Sequence, residues 1–278
     1  MPATLYLVAT PIGHLEDITY RAVRVLGEVA VVAAEDTRRT AGLLAHYGIR
    51  TPVVSLHAHN EHERAPELVA RLLAGESVAV VSDAGTPLVS DPGGELVAKA
   101  HAAGIHVEAL PGASALLAAL VCSGLPAGTF TFLGFVPARA GERDAWLRLA
   151  AAEPRTVVCY EAPHRIRDTL GAMVHVFGDR PIALGRELTK VHEEVLTGTA
   201  SDVLTQLVED RGEFTLVIGP PHEPEPRQGL PDDARIWAAF RDLTDKEGFG
   251  RREAVTALAR RYGMPAKEVY AAIERAKA

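Results

Sequence analysis

The residues able to do chemistry sit in short polar loops, each directly after an apolar, β-branched run. TPIGHLED (10–17), EDTRRT (35–40), HAHNEH (57–62), SDAGTPLVSDPG (82–93) and PGAS (111–114) form one series, and YEAPHR (160–165) and GRELTK (185–190) form another. Glycine and proline there let backbone N–H and C=O groups approach a ligand closely. The acidic and basic side chains beside them are suited to moving a proton or holding a phosphate. The first loop lacks GxGxxG and the chain lacks GxxxxGK[ST], so neither a Rossmann NAD site nor a P-loop is supported.

Each loop has a plainer reading beside the chemical one. His57, His59 and His62 are common zinc ligand types, but their spacings of two and three suit no helical ligand pair. Asn60-x-x-Glu63 has the spacing of a capping box, which accounts for the polarity of that loop and leaves a metal disfavoured. Asp91-Pro92 reads as an N-cap followed by proline, which leaves Asp83 as the freer carboxylate of its loop. Asp83 either accepts hydrogen bonds from a ligand hydroxyl and offsets a cationic ligand, or simply closes a turn. YEAPHR and GRELTK are either solvated loop edges or, if they face the first series, the far wall of a cleft.

To bring such loops together the chain needs strands that end on one side of a sheet. TLYLVA (4–9), VAVVAA (29–34), VVSL (53–56), VAVVS (78–82) and VEAL (107–110) alternate with helix-like stretches at 20–26, 40–47, 64–74, 95–103 and 115–123. That alternation predicts a mainly parallel sheet covered on both faces, with ligands outside the carboxyl ends of its strands. Runs beginning near Phe130, Thr156, Ile182, Glu193 and Phe214 predict a second α/β domain. The expected divisions are 1–122, 123–219, a linker at 220–232 with five prolines in GPPHEPEPRQGLPD, and a helical tail at 233–278.

Of the 278 residues 47% are hydrophobic and 23% charged, a balance that excludes disorder and coiled coil. The longest apolar run, Ala113 to Cys122, falls short of the ~20 residues that cross a bilayer, so no membrane partner is expected. No basic residue precedes Arg21, so no secretory signal or transit peptide is expected, and the reading is cytoplasmic. Cys122 and Cys159 both lie in apolar runs and are expected in the core. The net charge is −7, yet residues 227–278 hold eleven Lys/Arg against eight Asp/Glu. Within that tail Ala259, Gly263 and Val269 have the spacing of a helix-turn-helix core, or of three helices with Gly263 as an ordinary terminator. Arg251, Arg252, Arg260 and Arg261 make the tail the expected nucleic-acid contact.

The ordered series ATPIGHLED, EDTRRT, SLHAHNE, SDAGTPLVSDPG, PGASA, YEAPHR, GRELTKVHEE and GEFTLVIG resembles the small-subunit ribosomal RNA cytidine 2′-O-methyltransferases of the tetrapyrrole methylase-like superfamily. The resemblance covers residues 5 to about 220, and His14 departs from it where the family usually has Asn. It implies a homodimer, S-adenosylmethionine in a cleft between two α/β domains, no metal, and methyl transfer to a ribose in the decoding region of small-subunit ribosomal RNA, with the assembled subunit as partner. On that resemblance Pro11 and Gly13 shape the first loop, and Asp83, Ala84 and Gly85 border the methyl donor. Ser114 and Ala115 would meet its methionyl part, and Ala162, Leu188, Thr215 and Leu216 would enclose the adenosine. Candidates for a proton acceptor are Glu35, Asp36, Glu161 and Glu187, and Arg38, Arg165, Arg186 and Lys190 are available for phosphates. The competing readings are a tetrapyrrole (precorrin-type) C-methyltransferase and a non-catalytic nucleotide- or RNA-binding module.

Overall fold

A computed structural model describes residues 3–221, 231–246 and 248–277, which form two compact units, Met1–Pro221 and His222–Ala278. The first sheet holds β1 (Thr4–Val8), β2 (Val31–Ala34), β3 (Val53–Ser55), β4 (Val78–Val81) and β5 (His106–Leu110), all parallel, in the order β3-β2-β4-β1-β5. Every residue of β2 and β4 is buried, as both faces of a parallel sheet require. Val32, Ala34, Ala79 and Val81 pack beneath α1 (Tyr20–Glu28) and α2 (Thr37–His46). Val31, Ala33, Val78 and Val80 face the opposite way, onto α3 (Glu61–Leu73) and α4 (Gly94–Ala102). The chain therefore leaves neighbouring β1 and β4 towards opposite faces, which opens a crevice at their carboxyl ends. The loops after these strands meet there through paired bonds between the Thr10 and Gly85 backbones, both 2.9 Å.

The second sheet holds β6 (Phe130–Phe135), β7 (Thr156–Glu161), β8 (Ile182–Arg186), β9 (Glu194–Gly198) and β10 (Phe214–Ile218), in the order β6-β7-β10-β8-β9. Five of the eight strand pairings in the two sheets are parallel, and the three antiparallel ones, β7·β10, β10·β8 and β8·β9, all lie in this second sheet. Residues 187–193 between β8 and β9 are too few for the crossover of about a dozen that a parallel pair needs. Val157, Cys159, Leu184 and Leu216 pack onto α6 (Ala140–Ala152), α7 (Ile166–Phe177) and α8 (Ala200–Gln206). The alternate residues Val158, Ala183 and Val217 face α5 (Ala115–Cys122), whose Ala119 and Leu120 share that core with Ile12. One apolar helix thus ties the first crevice loop to the back of the second sheet.

Several local expectations change in the fold. Ser114 caps α5 by accepting from the Leu117 amide, but Asp91 caps nothing, because α4 begins at Gly94 after Gly93 at φ +121°. Asn60 precedes α3 without a side-chain cap bond; its Oδ1 accepts from the His57 amide at 2.8 Å. Cys159 is buried as expected, whereas Cys122 is exposed on α5, whose far side alone is covered. Among the described residues of the second unit are α9 (Asp233–Arg241), a π-helical turn (Asp242–Lys246), α10 (Arg251–Tyr262) and α11 (Ala266–Lys277) around Ile236, Phe240, Leu258, Val269 and Ile273. Gly263 ends α10 in the left-handed region at φ +62°, a conformation suited to either reading of the turn. Most of the 220–232 linker lies outside the described residues.

Candidate active site

Two neighbouring hollows that share lining residues open at the crevice. The first has a volume of about 440 Å3. Asp83, Ala84 and Gly85 after β4 and Ser114 and Ala115 after β5 line one side; Ala162 after β7 and Thr215 on β10 line the other. Gly85 adopts φ +83°, where any side chain is strained, and a Cβ there would stand 3.3 Å from Ile12 Cγ2. The second hollow, about 520 Å3, is bordered by Pro11 and Gly13 after β1, Thr40 and His46 on α2, and Lys190 from the turn after β8. Ile12, Arg39, Asp83, Ala84 and Glu213 border both.

The walls are held by bonds between distant parts of the chain. Asp83 Oδ1 accepts from the Asp36 amide at 2.9 Å and Oδ2 from the Arg39 guanidinium at 3.3 Å. Across the crevice the His14 amide donates to Thr189 Oγ1 at 3.0 Å. Gly13 fits against that turn so closely that a Cβ would collide with Lys190 Cγ and stand 2.7 Å from Thr189 Oγ1. Two of the four other carboxylates lining the first hollow are raised by their surroundings. Burial, followed by the charge of Asp83, pushes Glu35 above its ordinary value. Burial, followed by the charge of Glu35, pushes Asp91 up to about 6, although a bond with Ser82 opposes the shift. This hollow therefore concentrates negative potential that Arg39 only partly offsets.

The structure separates the four expected proton acceptors. Glu35 and Glu161 line the first hollow, but the Glu161 carboxylate is otherwise employed. Glu161 is fully buried, accepting from the Ala162 amide at 2.6 Å and the Thr169 hydroxyl at 2.5 Å and pairing with Arg165 at 2.8 Å. Asp36 and Glu187 border neither hollow. Asp36 caps α2 through the Arg38 and Arg39 amides, which hold its carboxyl below the ordinary value. Glu187 accepts from Lys190 Nζ at 2.8 Å and the Glu213 amide at 2.9 Å. Burial acts to raise Glu187, but those two bonds outweigh it and the carboxyl lies low.

The expected phosphate contacts divide in the same way. Arg38 is exposed and only loosely paired with Asp36 at 3.8 Å, whereas Arg165 is largely buried against Glu161. Arg186, also largely buried, donates to Arg211 O at 3.1 Å and Glu194 at 3.2 Å. Lys190 reaches the second hollow, clamped between Glu187 and Glu213. In the second unit Arg252, Arg260 and Arg261 are exposed, while Arg251 pairs with Glu274 and lies over the Tyr270 ring. Of the expected donor contacts, Pro11 and Gly13 border the second hollow rather than the first, and Leu188 and Leu216 are buried and border neither. Sequence reasoning missed Arg39 and Glu213. Both stand inside recognisable motifs, EDTRRT and GEFTLVIG, so a signal exists, but nothing local distinguishes them from solvated charges.

Among the described residues no group of three or more His, Cys, Asp or Glu side chains is placed to hold a metal, and no helix is long and apolar enough to cross a membrane. In the HAHNEH loop His62 instead pairs with Glu95 at 3.0 Å.

This geometry has counterparts. The sequence profile of the Tetrapyrrole (Corrin/Porphyrin) Methylases matches residues 4–204. A protein of Xylella fastidiosa named ribosomal RNA small subunit methyltransferase I is 46% identical over 97% of this chain and 98% of its own. One of the same name from Synechocystis is 45% identical over 96% and 95%. Among solved structures, uroporphyrin-III C-methyltransferase from Thermus thermophilus complexed with S-adenosylhomocysteine is 26% identical, with a TM-score of 0.57 over 78% of this chain and 97% of that one. Diphthine synthase shares the fold at a TM-score of 0.61 and 15% identity, over 78% and 90%. The chain belongs to the ribosomal RNA small subunit methyltransferase I family, within the tetrapyrrole methylases.

Proposed function

We propose that this protein transfers a methyl group from S-adenosylmethionine to the ribose 2′-hydroxyl of a cytidine in small-subunit ribosomal RNA. The observation that carries the reading is the first hollow, where loops after β4 and β5 meet β7 and β10 around a carboxylate-rich floor. Its residues fit the donor. Ala84, Gly85, Ala115 and Ala162 leave room where larger side chains would fill the space. Asp83, Asp91 and Glu35 complement a ligand bearing both a sulfonium and an ammonium. When bound, the donor supplies an electrophilic methyl group, and the reaction needs in-line geometry but no metal.

The chain's residues hold and orient the two reactants. Asp83, fixed by the Asp36 amide and Arg39, sets the donor side, and the Ser114 and Thr215 hydroxyls line the same hollow. Arg38 beside the crevice and Arg252, Arg260 and Arg261 of the second unit supply phosphate contacts that an acidic main body lacks. The exposed Leu117 and Val121 of α5 support a homodimer, since they would be covered in one. Action on ribosomal RNA supports a cytoplasmic location.

Calorimetry with S-adenosylmethionine and no added metal tests the donor, and Asp83→Ala should weaken binding by roughly 1–3 kcal/mol if its bonds are charge-assisted. The acceptor is tested by incubating the protein with small subunits, free ribosomal RNA and a uroporphyrinogen-type tetrapyrrole, then digesting the RNA for mass spectrometry. Best labelling of assembled subunits, yielding 2′-O-methylcytidine, is expected; preferential labelling of the tetrapyrrole refutes the reading.

A further inference from the structure

The two hollows share a short border of five lining residues. A methyl group passing from a ligand in the first to a nucleophile in the second must cross there, so ionisable side chains at that border are within reach of the reacting oxygen. Among the described residues there are three: Arg39, Asp83 and Glu213. Arg39 stays cationic and cannot accept a proton. Both oxygens of Asp83 are engaged, one by the Asp36 amide and the other by Arg39.

Glu213 differs. Its Oε2 is held by Lys190 Nζ at 3.1 Å, and its Oε1 has no hydrogen-bond partner among the described residues. Its backbone is fixed on both sides, since the Glu187 amide donates to its carbonyl at 3.0 Å and its own amide donates to Glu187 Oε1 at 2.9 Å. Lys190 is in turn anchored by Glu187 at 2.8 Å, so the carboxylate is held on a rigid mount with one oxygen free. The charged groups facing it are Lys190, Arg39, Asp83 and His46 around the second hollow and Glu35, Asp91 and Glu161 around the first, with Glu187 behind. A carboxylate with one oxygen unpartnered keeps lone pairs free to accept a proton. A volume of about 520 Å3 lies within the range of small-ligand sites of about 300–1,000 Å3.

We infer that the second hollow seats the acceptor nucleoside and that Glu213 receives the proton of its ribose hydroxyl; this rests on the methyl-transfer reading above. The hydroxyl oxygen forms a bond to the methyl carbon as the carbon–sulfur bond breaks and its electron pair passes to sulfur. The hydroxyl proton goes to Glu213 Oε1, so the sulfonium becomes a neutral thioether and the carboxylate a neutral acid. Glu35, which borders only the first hollow, contributes charge to the donor side.

The test uses the full chain with small subunits as acceptor and follows single-turnover methyl transfer at pH 8, above the range in which Asp91 ionises. In parallel, calorimetry gives the affinity for S-adenosylhomocysteine and filter binding the affinity for subunits. Glu213→Gln should keep both affinities within about twofold and lose about a hundredfold or more in rate, the low end of what general base catalysis contributes. Glu213→Asp, which keeps a proton-accepting carboxylate, should recover about tenfold or more of that loss, and it decides the matter should the Gln variant fail to bind S-adenosylhomocysteine. A Gln variant with the parental rate overturns the inference, as does an Asp variant no faster than the Gln variant. So does a rate loss matched by lost subunit affinity, which would make Glu213 a binding residue. If the parent itself binds S-adenosylhomocysteine but methylates no RNA ribose, the underlying reading fails first and takes the inference with it.

Discussion

Replacing Asp91 by Asn should make the protein more stable at neutral pH and change how its stability depends on acid. Burial, then the neighbouring charge of Glu35, moves the Asp91 carboxyl from an ordinary 3.8 to about 6. Because the folded pKa is the higher one, the folded state binds this proton more tightly than the unfolded chain. Raising the pH from about 4 to about 6 therefore ionises the unfolded state first and erodes stability; above about 6 the penalty is constant. At about 1.36 kcal/mol for each factor of ten, the full penalty has an upper bound of ~3 kcal/mol. Asp91 is only half-buried, so solvent screening reduces this to about 1–2 kcal/mol. Asn keeps a polar partner for Ser82 without the charge. Urea unfolding of parent and Asn variant at pH 4, 5, 6 and 8 measures the difference. The variant should match the parent near pH 4 and gain about 1–2 kcal/mol by pH 8. A difference independent of pH, or a variant less stable at pH 8, refutes the assignment of a destabilising buried charge. The same substitution should weaken S-adenosylmethionine binding, because it removes one of the carboxylates that face a cationic ligand.

Three other perturbations probe different parts of the molecule. Arg180 is buried and donates to the carbonyls of Ala150, Ala151, Glu153 and Gly219, so Arg180→Met strands several buried acceptors and should cost about 3–5 kcal/mol in urea unfolding; a loss under about 1 kcal/mol would mean that water replaces those bonds. Gly13→Ala drives a methyl group into Lys190 Cγ and to 3.1 Å from the Leu188 carbonyl, and should cost roughly 1–3 kcal/mol and slow methyl transfer by displacing Lys190; unchanged stability and rate would show that the turn yields freely. A chain ending at Pro221 should stay folded and bind S-adenosylmethionine, since β10 ends at Ile218. Its subunit affinity should fall, with the slope of log affinity against log salt shrinking by about 0.7–0.9 for each phosphate no longer neutralised; an unchanged slope would leave RNA recognition wholly with the first unit.

Much of this protein was legible in its residues taken in order. Strand-loop-helix alternation located the ten strands of the described residues to within a few positions, because apolar period and loop composition are local properties. The loops around the first hollow were visible for the same reason: Gly85 and Ser114 answer to backbone geometry and helix capping within their own segments. Strand direction in the second sheet was not legible. An apolar run has the same pattern read either way, and β7, β8 and β10 took their antiparallel pairing from short connections and from the sheet they joined.

The partners of charged groups were decided by tertiary structure alone. Glu161 and Glu35 are both acids at the carboxyl end of a strand, yet one is consumed by Thr169 and Arg165 while the other faces the hollow. Arg186 and Arg38 are both arginines of the polar motifs that follow strands, yet only Arg38 remains exposed. The bond from His14 to Thr189 spans 175 residues and that from Asp36 to Asp83 spans 47. A charge near its sequence neighbours is satisfied by water as readily as by protein, so its role depends on which distant group the fold brings up to exclude that water. Residue types and spacing determined which chemistry the loops could perform; the packing of the first crevice loop and the second sheet against α5 decided which of those residues face the hollow.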